Sequence, residues 1–506
     1  MKSVLKFTCQ YVIVWLIFHV VIYFIQKKNA SRKHLFNVKP FNISWRTSFF
    51  NSYFIHITHS YAPHLWRTWF QIGTIITFCI MFVGIWIVTQ SSVEIFKTIL
   101  TYIPTVKAQL IKRNFILMEQ QERHGILLPI IPGLTLPLDH IHYFLLALMM
   151  AALFHELGHC LCAGVYGLTI KYFGLFLHYL YPGAFISISQ ADLDTAGSWQ
   201  KIQIACAGIW HNLILYTVCI AFRRASEFIW SHLGWKNLVN EDNESGGGGV
   251  SVVSVHATSP LYTHLLPGMR IIQLDDTPLK NSSSDWKAFW NMNYTLPLKQ
   301  GFCTLSHFMI EDKSCCDITS DLPFGNFSDP NISCFQNIAA QDKEDVEGKC
   351  LDTMQILTSI ETSRCTIDDD CSGNNTCVVP FTPSIHGQRV RLFGELESKE
   401  YTTIIYEGTL EDVLNSVQVS HLHPKYNYLP PQLPHQIDLL TSFIATLSLS
   451  LALLNSVPAF KLDGMSILCQ LLRKKRNLFT VITRLMSGLV LFIVFGSVFI
   501  FILQKM

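Results

Sequence analysis

The sequence predicts a polytopic α-helical membrane protein with about six transmembrane helices, a re-entrant β-like segment and one long polar α+β domain outside the bilayer. The first observation is composition: half of the 506 residues are hydrophobic and 15% are charged, against about 25% charged in an average soluble domain. The second is a series of apolar stretches of spanning length. The third is a cysteine-rich polar block lying between them.

The candidate spans are residues 4–26, 70–89, 140–163, 200–222, 438–457 and 478–503. The formal net charge is +2 and basic residues are scattered, so no nucleic-acid partner is expected; the lipid bilayer is. One dense basic run, Arg473-Lys474-Lys475-Arg476, lies between two spans and marks its loop as cytosolic by the positive-inside rule. Parity then makes the segment 224–436 lumenal and the 191–199 loop cytosolic. At the N-terminus, Lys27, Lys28, Arg32, Lys33 and Lys39 argue for a cytosolic 27–69 loop, whereas Lys2 and Lys6 pull the other way, leaving that orientation open. No small-residue cleavage site follows the first apolar run, so it is read as a span and not as a cleavable signal.

Two features agree with a lumenal polar segment. Eight of the fifteen cysteines fall there: Cys303, Cys315, Cys316, Cys334, Cys350, Cys365, Cys371 and Cys377. An even number in a polar block is the mark of a disulfide framework, and these spacings fit no common zinc-ligand pattern. Asn281, Asn293, Asn326, Asn331 and Asn374 each open an N-x-S/T glycosylation sequon.

The stretch 168–189 is apolar enough to count as a further span, yet it is rich in aromatic and β-branched residues and contains Gly174 and Pro182-Gly183. It is read as a re-entrant, hairpin-like segment, tolerated at membrane depth only where protein covers it or it lines a cavity. The preceding helix then runs from lumen to cytosol.

That helix carries His155-Glu156-Leu157-Gly158-His159. Residues four apart share a helix face, so the two histidines can chelate one metal ion, and Glu156 is placed to take a proton from an activated water. Ionisable groups in so apolar a segment are costly, and the default reading is a functional site. Tetrahedral zinc needs a third protein ligand. The best candidate is Asp463, in Asn455-Ser456-Val457-Pro458-Ala459-Phe460-Lys461-Leu462-Asp463-Gly464. Pro458 breaks an apolar helix there, and the nearby cytosolic basic run puts Asp463 at the depth of the histidines. A helix-cap role for Asp463 is the alternative. Asp139, Asp192 and Asp194 are nearer in sequence, but none follows a broken helix.

A membrane-embedded HELGH with this distant Asn…Pro…Leu-Asp-Gly segment resembles the site-2 protease family of intramembrane zinc metalloproteases. Tyr181-Pro182-Gly183-Ala184-Phe185 and Cys206-Ala207-Gly208-Ile209-Trp210-His211-Asn212 resemble its eukaryotic branch, and the likeness covers about 127–223 and 438–470. The resemblance implies one zinc ion held by His155, His159 and Asp463, with Glu156 as general base. It places Asn455 and Pro458 near the substrate cleft, with Asn212 and His211 as further cleft candidates and His178 as an additional one. A packing role for His211 is an equal alternative. Expected substrates are single-span membrane proteins already cut on the lumenal side, namely membrane-tethered transcription factors of the sterol-regulatory element-binding and ER-stress types. The expected location is the endoplasmic reticulum and Golgi, with the active site near the cytosolic face.

Within the polar segment, Ser259-Pro260-Leu261 and the following Leu265-Leu266-Pro267-Gly268-Met269-Arg270-Ile271-Ile272-Gln273-Leu274-Asp275-Asp276 resemble the carboxylate-binding loop and strand of the family's PDZ domains, which bind extended peptides by strand addition. A cysteine-rich insertion at about 300–380 interrupts it, with strands resuming near 388–393 and 402–406. The expected organisation is 1–139 as N-terminal spans and loops, 140–223 as the first half of the membrane core, 224–436 as the lumenal PDZ-like domain, and 437–506 as the second half. A catalytically inert membrane scaffold or chaperone, and a metal transporter, are the alternatives; the intact His, Glu, His and Asp set disfavours the first, and the second leaves Glu156 without a use in spans that hold few other polar groups.

Overall fold

The structure, a computed structural model, describes residues 36–39, 41–49, 51–60, 63–109, 138–240, 248–280, 283–291, 301–305, 332–337, 349–358, 363–373, 375–380, 388–395 and 401–505, with Leu136 and a few residues between 16 and 24. The expected span 4–26 lies largely outside these residues, as do all five sequon asparagines and Cys315 and Cys316. Among the described residues, five helices are long and apolar enough to cross a membrane: Pro63–Leu100, Leu138–Val165, Ser198–Arg224, Leu433–Ser456 and Arg476–Phe501. The chain divides into two compact units, Met1–Arg224 with Asp438–Met506, and Ala225–Ile437.

In the first unit the longer helices are α1 (Asn51–Ser60), α2 (Pro63–Gln109), α3 (Ile141–Val165), α4 (Ser198–Arg224), α5 (Leu433–Ser456), α6 (Asp463–Leu471) and α7 (Arg476–Lys505), with a short helix at Gln190–Thr195. Helix α2 has 47 residues, about 70 Å at 1.5 Å per residue, more than twice the bilayer's hydrocarbon thickness. It therefore far exceeds the 70–89 stretch that hydropathy marks. Its buried hydroxyls are satisfied inside the helix: Thr74, Thr77 and Ser92 donate to the carbonyls of Phe70, Gly73 and Val88 at 2.7–2.8 Å. Helices α3 and α4 meet backbone to backbone. A Cβ on Gly158 would lie 2.4 Å from the Ala207 carbonyl oxygen.

Helix α3 ends in a Schellman turn. Leu168 N–H donates to Ala163 O at 3.0 Å and Gly167 N–H to Gly164 O at 2.9 Å, with Gly167 at φ +67°. Ala163 and Leu168 are both buried in the same apolar cluster, the contact that accompanies this motif. The turn sends the chain back along the helix as the hairpin β3 (Ile170–His178) and β4 (Tyr181–Ile188), whose Phe173 and Ile186 pack with the α3 cluster. The segment read as hairpin-like is thus a hairpin of regular strands.

The 27–69 stretch departs from its reading as a connecting loop. It contributes a second hairpin, β1 (Phe36–Lys39) and β2 (Asn42–Thr47), and helix α1. All four strands form one antiparallel sheet in the order β1-β2-β3-β4. Residues 42–47, Asn-Ile-Ser-Trp-Arg-Thr, alternate polar and apolar with period two, which suits a strand added to an existing sheet. The hairpin tips clasp through Phe41 stacked on Tyr179 at 5.5 Å.

The second unit holds a six-stranded sheet in the order Tyr401–Gly408, Gln388–Glu395, Arg270–Leu274, Val250–Val255, Val417–Ser420, with Thr277–Pro278 paired to Arg270–Leu274. Helix Ser283–Asn291 places Trp286, Phe289 and Trp290 in its core. A separate five-stranded sheet of residues between Gly301 and Pro380 is stapled by Cys303–Cys371 and Cys365–Cys377, and Cys334 and Cys350 are also disulfide-bonded. A partly buried charge network ties the two sheets together. Arg391 Nη2 lies 2.9 Å from Asp276 Oδ1 and its Nε 3.5 Å from Asp275 Oδ1, while Arg364 Nε lies 2.9 Å from Asp276 Oδ2. Both guanidinium groups sit over the Phe302 ring.

Burial pushes the Asp275 carboxyl above its ordinary value even beside Arg391. Removing the Arg391 guanidinium leaves that carboxylate with the backbone amide of position 391 and no adjacent ion-pair partner, so Arg391→Met is expected to destabilise this unit by about 3 kcal/mol. An acid whose folded pKa is raised costs stability as pH climbs above its unfolded value, so the loss is expected to be larger at pH 7 than at pH 5. Thermal unfolding followed by near-ultraviolet circular dichroism at the two pH values checks both the size and the direction.

Candidate metal centre

The site is assembled from α3, α4 and the α5–α6 junction. One helical turn sets His155 and His159 on the same face, and their Nε2 atoms face each other at 3.1 Å. His159 Nδ1 lies 2.7 Å from the Ile204 carbonyl oxygen on α4. A carbonyl only accepts, so Nδ1 carries the proton and Nε2 of the neutral ring presents its lone pair. His155 Nδ1 faces the Asn212 amide at 3.4 Å. Both rings are 8% exposed.

The third group arrives through a broken helix. Helix α5 stops at Ser456, two residues before Pro458, whose ring cannot continue the hydrogen-bond ladder. Lys461 takes φ +66°, and α6 starts at Asp463. The Asp463 carboxylate is thereby turned onto the histidine pair, with Oδ2 at 2.9 Å from His155 Nε2 and 3.5 Å from His159 Nε2. Asp463 opens a helix, yet its side chain faces the histidines, which separates it from a simple cap.

Asp463 Oδ2 is buried and finds no hydrogen-bond donor although two ring nitrogens stand beside it. Lone pairs of two imidazoles and a carboxylate pointing at one another are reconciled by a cation. Zinc–nitrogen bonds of about 2.0–2.1 Å in a tetrahedron separate ligand atoms by about 3.3 Å. The three separations here, 2.9, 3.1 and 3.5 Å, bracket that value. His155, His159 and Asp463 could therefore hold a metal ion. Cys303, Cys365 and Cys371 also lie close together, but their sulfurs are taken up in disulfides.

Glu156 is half-buried beside the pair, with the backbone of Ile186 on β4 close to its carboxylate. Among the described residues β4 pairs with β3 alone, so its other edge is unpaired by any strand. Asn455 lies in the last turn of α5, and Pro458 is buried in the loop that follows. His211 turns away from the histidine pair. Its Nδ1 is 3.0 Å from the Ala207 carbonyl and its ring stacks on Phe70 at 5.7 Å, the packing arrangement. His178 sits at the hairpin end opposite Tyr181, against the Tyr179 ring. Asp192 is engaged elsewhere, accepting from Thr169 N–H at 3.0 Å, and Asp194 accepts from the Gln190 amide at 2.9 Å.

Residues 143–496 match peptidase family M50. The chain belongs to that family. A relative, the membrane-bound transcription factor site-2 protease homolog of Arabidopsis thaliana, is 24% identical over 393 residues, 67% of this chain and 71% of the relative. Membership makes the chain a protease, and its apolar helices make it a multi-pass membrane one.

The residue that sequence reasoning passed over is Gly208. A Cβ there would lie 2.4 Å from His159 Nε2 and 2.7 Å from His155 Nε2. The signal was a glycine inside an otherwise regular helix, where it costs about 1 kcal/mol relative to alanine and so needs a packing reason. Gly208→Val is expected to displace the histidine pair and lower proteolysis about a hundredfold, the scale of a 1 Å misplacement. Cleavage of a membrane-protein substrate in proteoliposomes, with thermal stability measured alongside, checks it.

Proposed function

We propose that this protein is a zinc-dependent intramembrane endopeptidase. The observation that carries the reading is the meeting of Asp463 with His155 and His159, a carboxylate about 300 residues away in sequence converging on one point with a helical histidine pair. His155, His159 and Asp463 would hold the ion. Bound there, zinc supplies Lewis acidity. The chain's own residues do the rest. Glu156 takes the proton of the attacking water and returns it to the leaving amine. The backbone of Ile186 lies beside the carboxylate that performs both transfers.

A substrate helix hides its peptide bonds in its own hydrogen bonds, so it must unwind to be cut. The free edge of β4, reaching Ile186 beside Glu156, is suited to receive the unwound chain as an added strand. Asn455 and Pro458 line the approach from α5. Asn212 acts on His155 instead of on substrate. Its Oδ1 is buried without a partner while its amide nitrogen faces Nδ1. Exchanging the two amide atoms, which are nearly indistinguishable in shape, lets Oδ1 accept from Nδ1–H and frees Nε2 for the metal.

By analogy with the plant relative's name, the substrates are membrane-bound transcription factors; the family resemblance of the HELGH and Leu-Asp-Gly segments adds that they are single-span proteins first cut on the lumenal side, of the sterol-regulatory and ER-stress types. The basic run after α6 supports a cytosolic release side. The second unit, with its cysteines and sequons, is then lumenal, in the endoplasmic reticulum or Golgi. Its six-stranded sheet is read as PDZ-like, with the short edge strand Val417–Ser420 admitting shortened chain ends.

Two measurements test this. Glu156→Gln is expected to keep one equivalent of zinc while cleavage falls about 10²–10⁴-fold, the contribution of a general base; Asp463→Asn is expected to lose both. Metal content by mass spectrometry and release of a substrate's cytosolic fragment decide it, and undiminished release by Glu156→Gln would sink the proposal. Asn212→Leu is expected to weaken zinc binding about 10–100-fold, as loss of an outer-shell partner does, whereas a residue that touches only substrate would leave zinc affinity unchanged.

A further inference from the structure

The four-stranded sheet has a second face that the reaction does not use. Strand periodicity divides its side chains, and Phe173 and Ile186 go to the α3 side. The opposite face carries Asn37, Lys39, Asn42, Ser44 and Arg46 on β1 and β2, beside Phe176 and Phe185 on β3 and β4. The register places Ser44 opposite Phe176 and Arg46 opposite Gly174, which in turn faces Phe185. These seven residues line a pocket of about 280 Å³.

The lining contains two cationic side chains and no carboxylate. Arg46 stands over the rings of Tyr172 and Phe185, 5.0 and 6.0 Å from their centroids. Its Nε is buried and, among the described residues, has no hydrogen-bond partner. A buried guanidinium donor without an acceptor is costly, and an anion is what relieves it. The aromatic floor is specifically accommodated. A Cβ on Gly183 would strike the Phe176 ring at 2.3 Å, and one on Gly174 the Phe185 ring at 2.4 Å. The two glycines thus let both rings lie flat on the sheet beside the cations.

We infer that this pocket binds a phosphate group carrying an apolar or ring-bearing substituent. Arg46 offers a planar fork suited to two phosphate oxygens, Lys39 a point charge, and the Asn37 and Asn42 amides further donors. Two cations match the charge of about −1.5 to −2 on a phosphate monoester better than the single charge of a carboxylate. Phe176 and Phe185 supply apolar contact for whatever the phosphate is esterified to. A phospholipid headgroup and a free phosphate share this chemistry.

The test uses the purified full-length protein in detergent, titrated with dioctanoyl phosphatidic acid, inorganic phosphate and sodium acetate. Binding is read by calorimetry, and retained lipid by native mass spectrometry. Wild type is expected to bind phosphatidic acid, and Arg46→Gln and Lys39→Gln are each expected to weaken it roughly tenfold, the worth of a charge-assisted hydrogen bond. Arg46→Lys, which keeps the charge and loses the fork, is expected to fall between. Unchanged thermal midpoints establish that the variants are folded. Inorganic phosphate binding as well as the lipid supports a free phosphate; binding of the lipid alone supports a headgroup. Equal binding by the Arg46→Gln/Lys39→Gln double variant, acetate binding as tightly as phosphate, or no binding by wild type overturns the inference.

Discussion

Asp463 Oδ2 at 2.9 Å from His155 Nε2 is the contact on which the membrane unit depends. Burying two imidazoles and a carboxylate among apolar helices is expensive unless each group is paired. The structure meets that demand from outside the triad: the Ile204 carbonyl takes one ring proton and Asn212 faces the other ring. Both partners come from α4, so α4 must run hard against α3. Glycines make that possible. At Gly158 and Gly208 a single added carbon would fall within 3 Å of the facing backbone or of the histidine rings themselves. The site is therefore a packing problem before it is a chemical one.

The Schellman turn at Gly167 carries the consequence outward. It folds the chain back so that β4 runs beside the α3 face bearing Glu156, with the Ile186 backbone close to that carboxylate. One sheet then serves two environments, an apolar face on α3 and a polar, cationic face on the other side. The β1–β2 hairpin completes the second face and supplies both of its cations, so a segment remote from the histidines decides what that face can bind.

The second unit solves stability differently. Disulfides constrain its smaller sheet, and the Arg391, Asp275, Asp276 and Arg364 network joins that sheet to the larger one through groups that would be costly alone. Here charges are paired in matched sets, whereas in the membrane unit they are left as converging lone pairs. The first arrangement holds a domain together; the second is suited to hold an ion.

The residue types that can bind a metal were legible in the chain. HELGH has a fixed helical period, and Pro458 marks where an apolar helix must end, so a depth argument reaches Asp463 without coordinates. The hairpin at 168–189 was legible as well, because aromatic and β-branched residues around Gly174 and Pro182-Gly183 disfavour a helix. Proximity was not. Asn212 reads as a cleft residue and Gly208 only as part of a family-like segment until α4 is laid against α3, because helical period says which face a residue occupies and nothing about what that face meets. The β1–β2 hairpin shows the same limit: its alternation was present in Asn42–Thr47, but a short strand pair has no stability of its own and gains it only from the sheet it joins. Local pattern thus determined the elements and the donor set. Tertiary packing alone decided which donors converge, since convergence is a property of contacts between segments that the sequence keeps far apart.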